Sequence, residues 1–166
     1  ADGTLVVNAD DRGLVDYFNK NPQLIRGKIC WFSVNSGNEK ILQQRRLQQP
    51  AVWLEDGKIQ LSDAGLVTAL VSIKDIPTTL NGNARHNISN SMGAAAVCYA
   101  LEIGFEDIAT GLKNFRGDSN DNPGRGNYFT INGVTVLIDF AHNAHSLTAV
   151  IETVATSSSK RRLIML

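Results

Sequence analysis

Ile29-Cys30-Trp31-Phe32-Ser33 is a five-residue stretch without a charge. A strand with one face in water alternates apolar and polar residues, whereas a strand covered on both faces reads as a continuous apolar run. This stretch is of the second kind, and such strands belong mainly to parallel sheets with helices on either side. Upstream, Thr4-Leu5-Val6-Val7 begins another strand over 4–8. It leads through Asn8-Ala9-Asp10-Asp11 into a short helix with Leu14, Val15 and Phe18 on one face. Asp10 and Asp11 are expected at that helix start, where carboxylates complement the dipole. Downstream, Gly37 to Pro50 is polar and Gln-rich, without a periodicity that selects an element. Val52-Trp53-Leu54-Glu55, Asp56-Gly57 and Lys58-Ile59-Gln60-Leu61 spell a hairpin closed by a type I′ turn. Ala69 to Ile73 continues as strand, ended by Ile76-Pro77.

From Asn81 the period changes. A helix is expected from Asn83 or Ala84 to Leu101, with Ile88, Met92, Ala95 and Tyr99 on its core stripe and Gly104 closing it. Gly93-Ala94-Ala95-Ala96 is slim enough to pack closely on a sheet. Phe105, Ile108, Ala109, Leu112 and Phe115 predict a second helix, with Glu106 and Asp107 in its first turn. Residues 116–126 form a loop of Gly, Asp, Asn and Pro. Tyr128 to Ile138, broken by Asn132-Gly133, is a further hairpin, and Leu147, Val150, Ile151 and Val154 mark a third helix. Thr156 to Ser159 reads as a linker and Arg162 to Leu166 as a last strand. Both ends are expected to be cut, because Ala1-Asp2-Gly3 runs straight into a strand and the last strand stops without the turn of a finished domain. Alternating strands and helices predict an α/β protein with a mostly parallel sheet decorated by hairpins. Its best domain boundary is the loop 116–126, and no internal repeat is present.

Composition narrows the function classes. The 166 residues are 43% hydrophobic and 19% charged, which suits a globular protein with a core. Sixteen basic residues cancel sixteen acidic ones, so no global field gathers nucleic acid or an anionic membrane. Arg45-Arg46 and Lys160-Arg161-Arg162 are too short to change that, and read as helix ends or solvated faces. Cys30 and Cys98 stand apart, outside any CxxC or CxxH pattern, and are expected as reduced thiols in a cytoplasmic protein. No apolar run approaches the ~20 residues of a membrane span. Composition neither requires nor excludes a homo-oligomer.

Three clusters carry chemistry. Arg85-His86-Asn87-Ile88-Ser89-Asn90 opens a helix, so Asn87 and Asn90, three apart, share a surface. Carboxamides offer donor and acceptor together, which reading an adenine edge requires. Helix capping with a buried polar contact is the other reading. Asn122-Pro123-Gly124-Arg125-Gly126 holds an arginine between glycines, able to lie on a base or fork onto a phosphate, or simply to face solvent in a turn. Asp139-Phe140-Ala141-His142-Asn143 stands where a strand gives way to a helix, the place where α/β folds bind ligands. There an acidic residue suits a ribose diol, and capping by Asp139 or Asn143 is the alternative. No serine sits on a nucleophile elbow, and His86, His142 and His145 lack the spacing of a zinc site.

The order of these clusters resembles the Mur ligase superfamily: His86-Asn87-x-x-Asn90, then Pro123-Gly124-Arg125, then Asp139-x-Ala141-His142-Asn143. Ile76-Pro77-x-Thr79-Leu80-x-Gly82 and Asn8-Ala9-Asp10-Asp11 make the chain similar to the cyanophycin synthetase branch of that family. The resemblance implies that residues 1–122 are the later part of a P-loop-type central ATPase domain. Residues 123–166 would begin a Rossmann-like C-terminal domain. It implies ATP and Mg²⁺, a carboxylate substrate and an amino-acid substrate, joined through an acyl phosphate. By the family pattern Asn90 meets the adenine with Asn87 beside it, and Arg125 approaches the nucleotide. Asp139 holds the ribose, and His142 and Asn143 line the same site. No Gly-x-x-Gly-Lys-Thr/Ser loop occurs in the chain, so phosphate and Mg²⁺ ligands are expected upstream and the stretch alone is expected to be inactive. Ala144 stands where the family motif usually has proline, a helix-start preference rather than a chemical one. A folylpolyglutamate synthetase-like ligase, a peptidoglycan Mur enzyme and a non-catalytic nucleotide-binding or interaction module remain the competing readings.

Overall fold

The computed structural model describes residues 3–155. The expected linker at 156–159, the Lys160-Arg161-Arg162 cluster and the last strand lie outside them. A five-stranded sheet runs in sequence order through β1 (Thr4–Asn8), β2 (Lys28–Ser33), β3 (Ala51–Glu55), β4 (Lys58–Asp63) and β5 (Leu66–Ser72). The first three strands pair in parallel, and β4 pairs antiparallel with both β3 and β5. Four of the five strands therefore point the same way. β6 (Asn127–Ile131) and β7 (Val134–Ile138) form a separate antiparallel hairpin.

Side chains of β2 and β3 leave the sheet alternately to its two faces, and both faces are covered. Cys30, Val52, Ile59 and Leu61 pack against Ile88, Met92, Ala95 and Ala96 of α3 (Arg85–Ala100) and Ile108 of α4 (Phe105–Asn114). On the opposite face Val7, Trp31, Ala51 and Trp53 meet Val15 and Phe18 of α1 (Arg12–Lys20) and Ile41 of α2 (Glu39–Arg46). Trp53, Ile59 and Leu61 are fully buried, each contributing about 1.5–3 kcal/mol by leaving water. Gly93 lets α3 approach the sheet, since a Cβ there would come within 3.3 Å of the Phe32 ring. The last helix, α5 (Ala144–Ala155), packs against α3.

The Asp56-Gly57 turn has the type I′ signature expected of it, with φ of 50° and 70°; Asn132-Gly133, at 50° and 78°, and Ala64-Gly65 between β4 and β5, at 48° and 83°, share that left-handed pair. The tertiary structure completes or corrects several local readings. The Gln-rich stretch holds α2, capped by Asn38, with Gln44 buried and donating from Nε2 to the Ile29 carbonyl at 3.0 Å. Arg45 and Arg46 stand in the last turn of α2, the helix end that is one of the two expected readings, and Arg45 lies over Trp53 at 4.5 Å from the ring centre. Gly104 does not close α3: Glu102 takes the left-handed turn at φ 61°, and Gly104 is the N-cap of α4. Asp11 caps α1, but Asp10 instead accepts from Ser33 Oγ at 2.6 Å and the Val34 amide at 2.9 Å, tying the ends of β1 and β2 together. A carboxylate 23 residues from its partner in sequence leaves no local signal. Strand β5 also starts earlier than expected, at Leu66.

Candidate functional site

A short run of unusual backbone positions the first cluster. Thr79 is fully buried, its hydroxyl set between the carbonyls of Ile73 and Ile76 and accepting from the Gly82 amide. Leu80, Asn81 and Gly82 then follow at φ 52°, 58° and 87°. A left-handed leucine costs about 1–2 kcal/mol, and the buried Thr79 clamp holds it there. The chain thus turns sharply into α3. No side chain caps that helix. Asn87 Nδ2 donates to the Thr78 carbonyl at 2.8 Å, and Asn87 Oδ1 accepts from Asn90 Nδ2 at 3.4 Å. Asn90 is exposed and keeps its carbonyl oxygen and one N–H for a ligand.

The second cluster is built by the loop between α4 and β6. Gly117, Gly124 and Gly126 adopt φ of 63°, 75° and 66°, which side chains rarely tolerate. Asp118 Oδ1 accepts from the amides of Asn120 and Asp121, and these bonds, with Arg116 nearby, hold its carboxyl below the usual range. The Arg125 guanidinium carbon lies 5.4 Å from the Phe140 ring centre, a cation–π arrangement.

At the third cluster, Asn143 caps α5: its Oδ1 accepts from the Ser146 amide at 2.9 Å, and Ser146 Oγ returns contacts to the Asn143 amide and carbonyl. His142 turns Nδ1 to the Phe140 carbonyl at 2.9 Å. Asp139 makes no hydrogen bond to the first turn of α5 among the described residues.

These elements enclose a cleft of about 810 Å³. Asn87, Asn90, Arg125 and Asp139 all line it, together with His86, Arg116 and His145. His142 and Asn143 do not line it. Burial pushes the His86 pKa below its ordinary value, partly opposed by the charge of Asp139. Burial likewise raises the Tyr128 phenol on the cleft wall. A smaller concavity of about 410 Å³ between α2 and β4–β5 holds none of the three clusters. The larger cleft has the size of a small-molecule site, with apolar walls and a few convergent polar groups. Paired carboxamides, a guanidinium and a carboxylate can together read a flat, hydrogen-bonding ligand that bears hydroxyls.

Sequence reading missed Asn127, which is 3% exposed, and placed Thr79 in a motif without its clamping role. Each left one signal: a small polar residue bordering a glycine-rich or turn segment, able to bond local backbone.

No family model matches the chain. Curated relatives do. A UDP-N-acetylmuramate–L-alanine ligase of Allorhizobium ampelinum is 34% identical over 161 residues, 96% of this chain and 29% of that protein. The α/β layers, the cleft and this similarity make the chain a partial segment of the Mur ligase superfamily. Within it, the chain is similar to cyanophycin synthetase. That of Crocosphaera subtropica is 30% identical over 161 residues, covering 97% of this chain and 18% of the relative. That of Geminocystis herdmanii is 33% identical over 150 residues, covering 90% and 17%. The chain thus spans under a fifth of the length of these two relatives.

Proposed function

We propose that this chain forms the nucleoside-binding part of an ATP-dependent amide ligase. The supporting observation is that Asn87, Asn90, Arg125 and Asp139, from separate stretches of sequence, line one cleft. In this reading the Asn90 carboxamide pairs with the adenine edge, and Asn87, anchored on the Thr78 carbonyl, steadies it. Asp139 accepts from the ribose hydroxyls, and Arg125, held on Phe140, approaches the nucleotide. Residues 1–122 then belong to the central ATPase domain and 123–166 begin the C-terminal one. The boundary would cross the cleft, so domain closure completes the site and excludes water.

The whole enzyme would transfer the γ-phosphoryl group of ATP to a carboxylate oxygen, releasing ADP. An amino-acid amine would then attack the acyl carbon, expelling phosphate and losing a proton to give the amide. Mg²⁺ supplies charge neutralisation in such transfers. Among the described residues no three or more His, Cys, Asp or Glu side chains group to hold a metal. The roles assigned above place none of these residues on the ion. No helix among the described residues is long and apolar enough to cross a membrane, and a cytoplasmic location accords with the ligase reading.

Titration of the ¹⁵N-labelled chain with adenosine tests the assignment. Resonances of Asn87, Asn90, Arg125 and Asp139 should shift together with one dissociation constant. Shifts confined to other surfaces, or none up to the solubility of adenosine, would remove the reading. The chain alone should not turn over ATP, since it lacks a phosphate loop; Mg²⁺-dependent hydrolysis above a mock control would contradict that.

A further inference from the structure

Asn127, the first residue of β6, carries a nearly buried carboxamide whose hydrogen bonds go to the loop before it. Its Oδ1 accepts from the Gly124 amide at 2.6 Å. Its Nδ2 donates to the carbonyls of Gly117 at 2.9 Å and Asn122 at 3.0 Å, with the Arg125 carbonyl farther off at 3.4 Å. One side chain thus closes a loop whose backbone contains three left-handed glycines and would otherwise sample many conformations. The closure extends further. A Cβ at Gly117 would fall 2.6 Å from Thr78 Cγ2, so Gly117 is seated directly on Thr78, whose carbonyl accepts from Asn87 Nδ2. At the other end of the loop, a Cβ on Gly126 would lie 3.9 Å from Asp139 Oδ2.

We propose that Asn127 is the positioning residue of the cleft, setting Arg125 relative to Asn87 and Asp139 by fixing the loop from Gly117 to Gly126. The ligand consequence rests on the nucleoside reading above; the positioning itself does not. Only a carboxamide suits the position, because an acceptor must face Gly124 while donors face two carbonyls. Aspartate of the same shape keeps the acceptor but turns a charged oxygen toward the carbonyls of Gly117 and Asn122.

Nuclear magnetic resonance on the whole chain tests this. In wild type the Gly124 amide should be protected from hydrogen exchange, and Arg125 should show nuclear Overhauser contacts to the Phe140 ring. In Asn127→Ala both should disappear while the amides of β1 to β5 keep their protection, and adenosine affinity should fall about tenfold. Asn127→Asp should show the same loss at neutral pH. Acidification that protonates the new carboxyl should restore part of the Arg125–Phe140 contact and of the affinity, a recovery that simple loss of packing would not give. An unprotected Gly124 amide in wild type overturns the proposal without any variant. Unchanged Arg125–Phe140 contacts and affinity in both variants overturn it equally. If wild type does not bind adenosine but the variants still lose the Arg125–Phe140 contact, the nucleoside reading fails and the positioning role stands.

Discussion

The carboxylate of Asp139, at the end of the hairpin, acts electrostatically on the imidazole of His86 in the first turn of α3. Burial lowers the His86 pKa from 6.5, and the Asp139 charge recovers part of that shift. The two residues stand on either side of the proposed domain boundary, so their coupling reports how the cleft is closed.

A titration of the His86 ring protons should give a midpoint below 6.5. In Asp139→Asn it should move lower still, because the opposing Asp139 charge is gone. Between the lowered folded value and 6.5 the unfolded chain binds more protons than the folded one. The His86 contribution to stability is therefore complete above that window and is lost as the pH falls through it. An unchanged His86 midpoint in Asp139→Asn would mean that the two groups do not face each other.

Asp139→Ala should weaken nucleoside binding by about 1–3 kcal/mol, the scale of hydrogen bonds to a charged acceptor. Because Asn143 already caps α5, the melting temperature should hardly change. A 2′,3′-dideoxyadenosine titration gives the cleaner comparison. Wild type should discriminate against it and the variant should not; equal discrimination by both would show that Asp139 does not hold the ribose.

Asn143→Ala should behave in the opposite way. Loss of the cap on Ser146 costs about 1 kcal/mol of stability, read by denaturant unfolding, with adenosine affinity little altered since Asn143 does not line the cleft. Weakened binding at unchanged stability would return Asn143 to the ligand site.

Cys30 is fully buried, and burial with the nearby Asp63 charge pushes its thiol up to about 12. Since the thiolate is the nucleophile, Cys30 should resist iodoacetamide near pH 8 until the chain unfolds. Half-buried Cys98 should be modified first. Mass spectrometry of native and denatured samples decides, and rapid native labelling of Cys30 would contradict its place under α3.

Local pattern determined much of this chain. The uncharged run at Ile29 to Ser33 required a strand covered on both faces, and Asp56-Gly57 and Asn132-Gly133 required their turns, because backbone stereochemistry and burial act within a few residues. The same locality hid α2, whose inward face uses Gln44, a polar residue that only the Ile29 carbonyl makes comfortable in the interior. It also hid Asp10, whose partners lie 23 and 24 residues away. At the cleft the residue types were legible as three clusters, yet their division of labour was not. Asp139, His142 and Asn143 sit within five positions of one another, but only Asp139 lines the cleft, while Asn143 is turned to its own helix. Asn127 gained its role from carbonyls that come within reach only after the loop has folded back on itself. Sequence determines which hydrogen-bonding groups a residue owns; tertiary packing decides which partners arrive, since a buried polar group accepts whatever donor or acceptor the fold brings within about 3 Å.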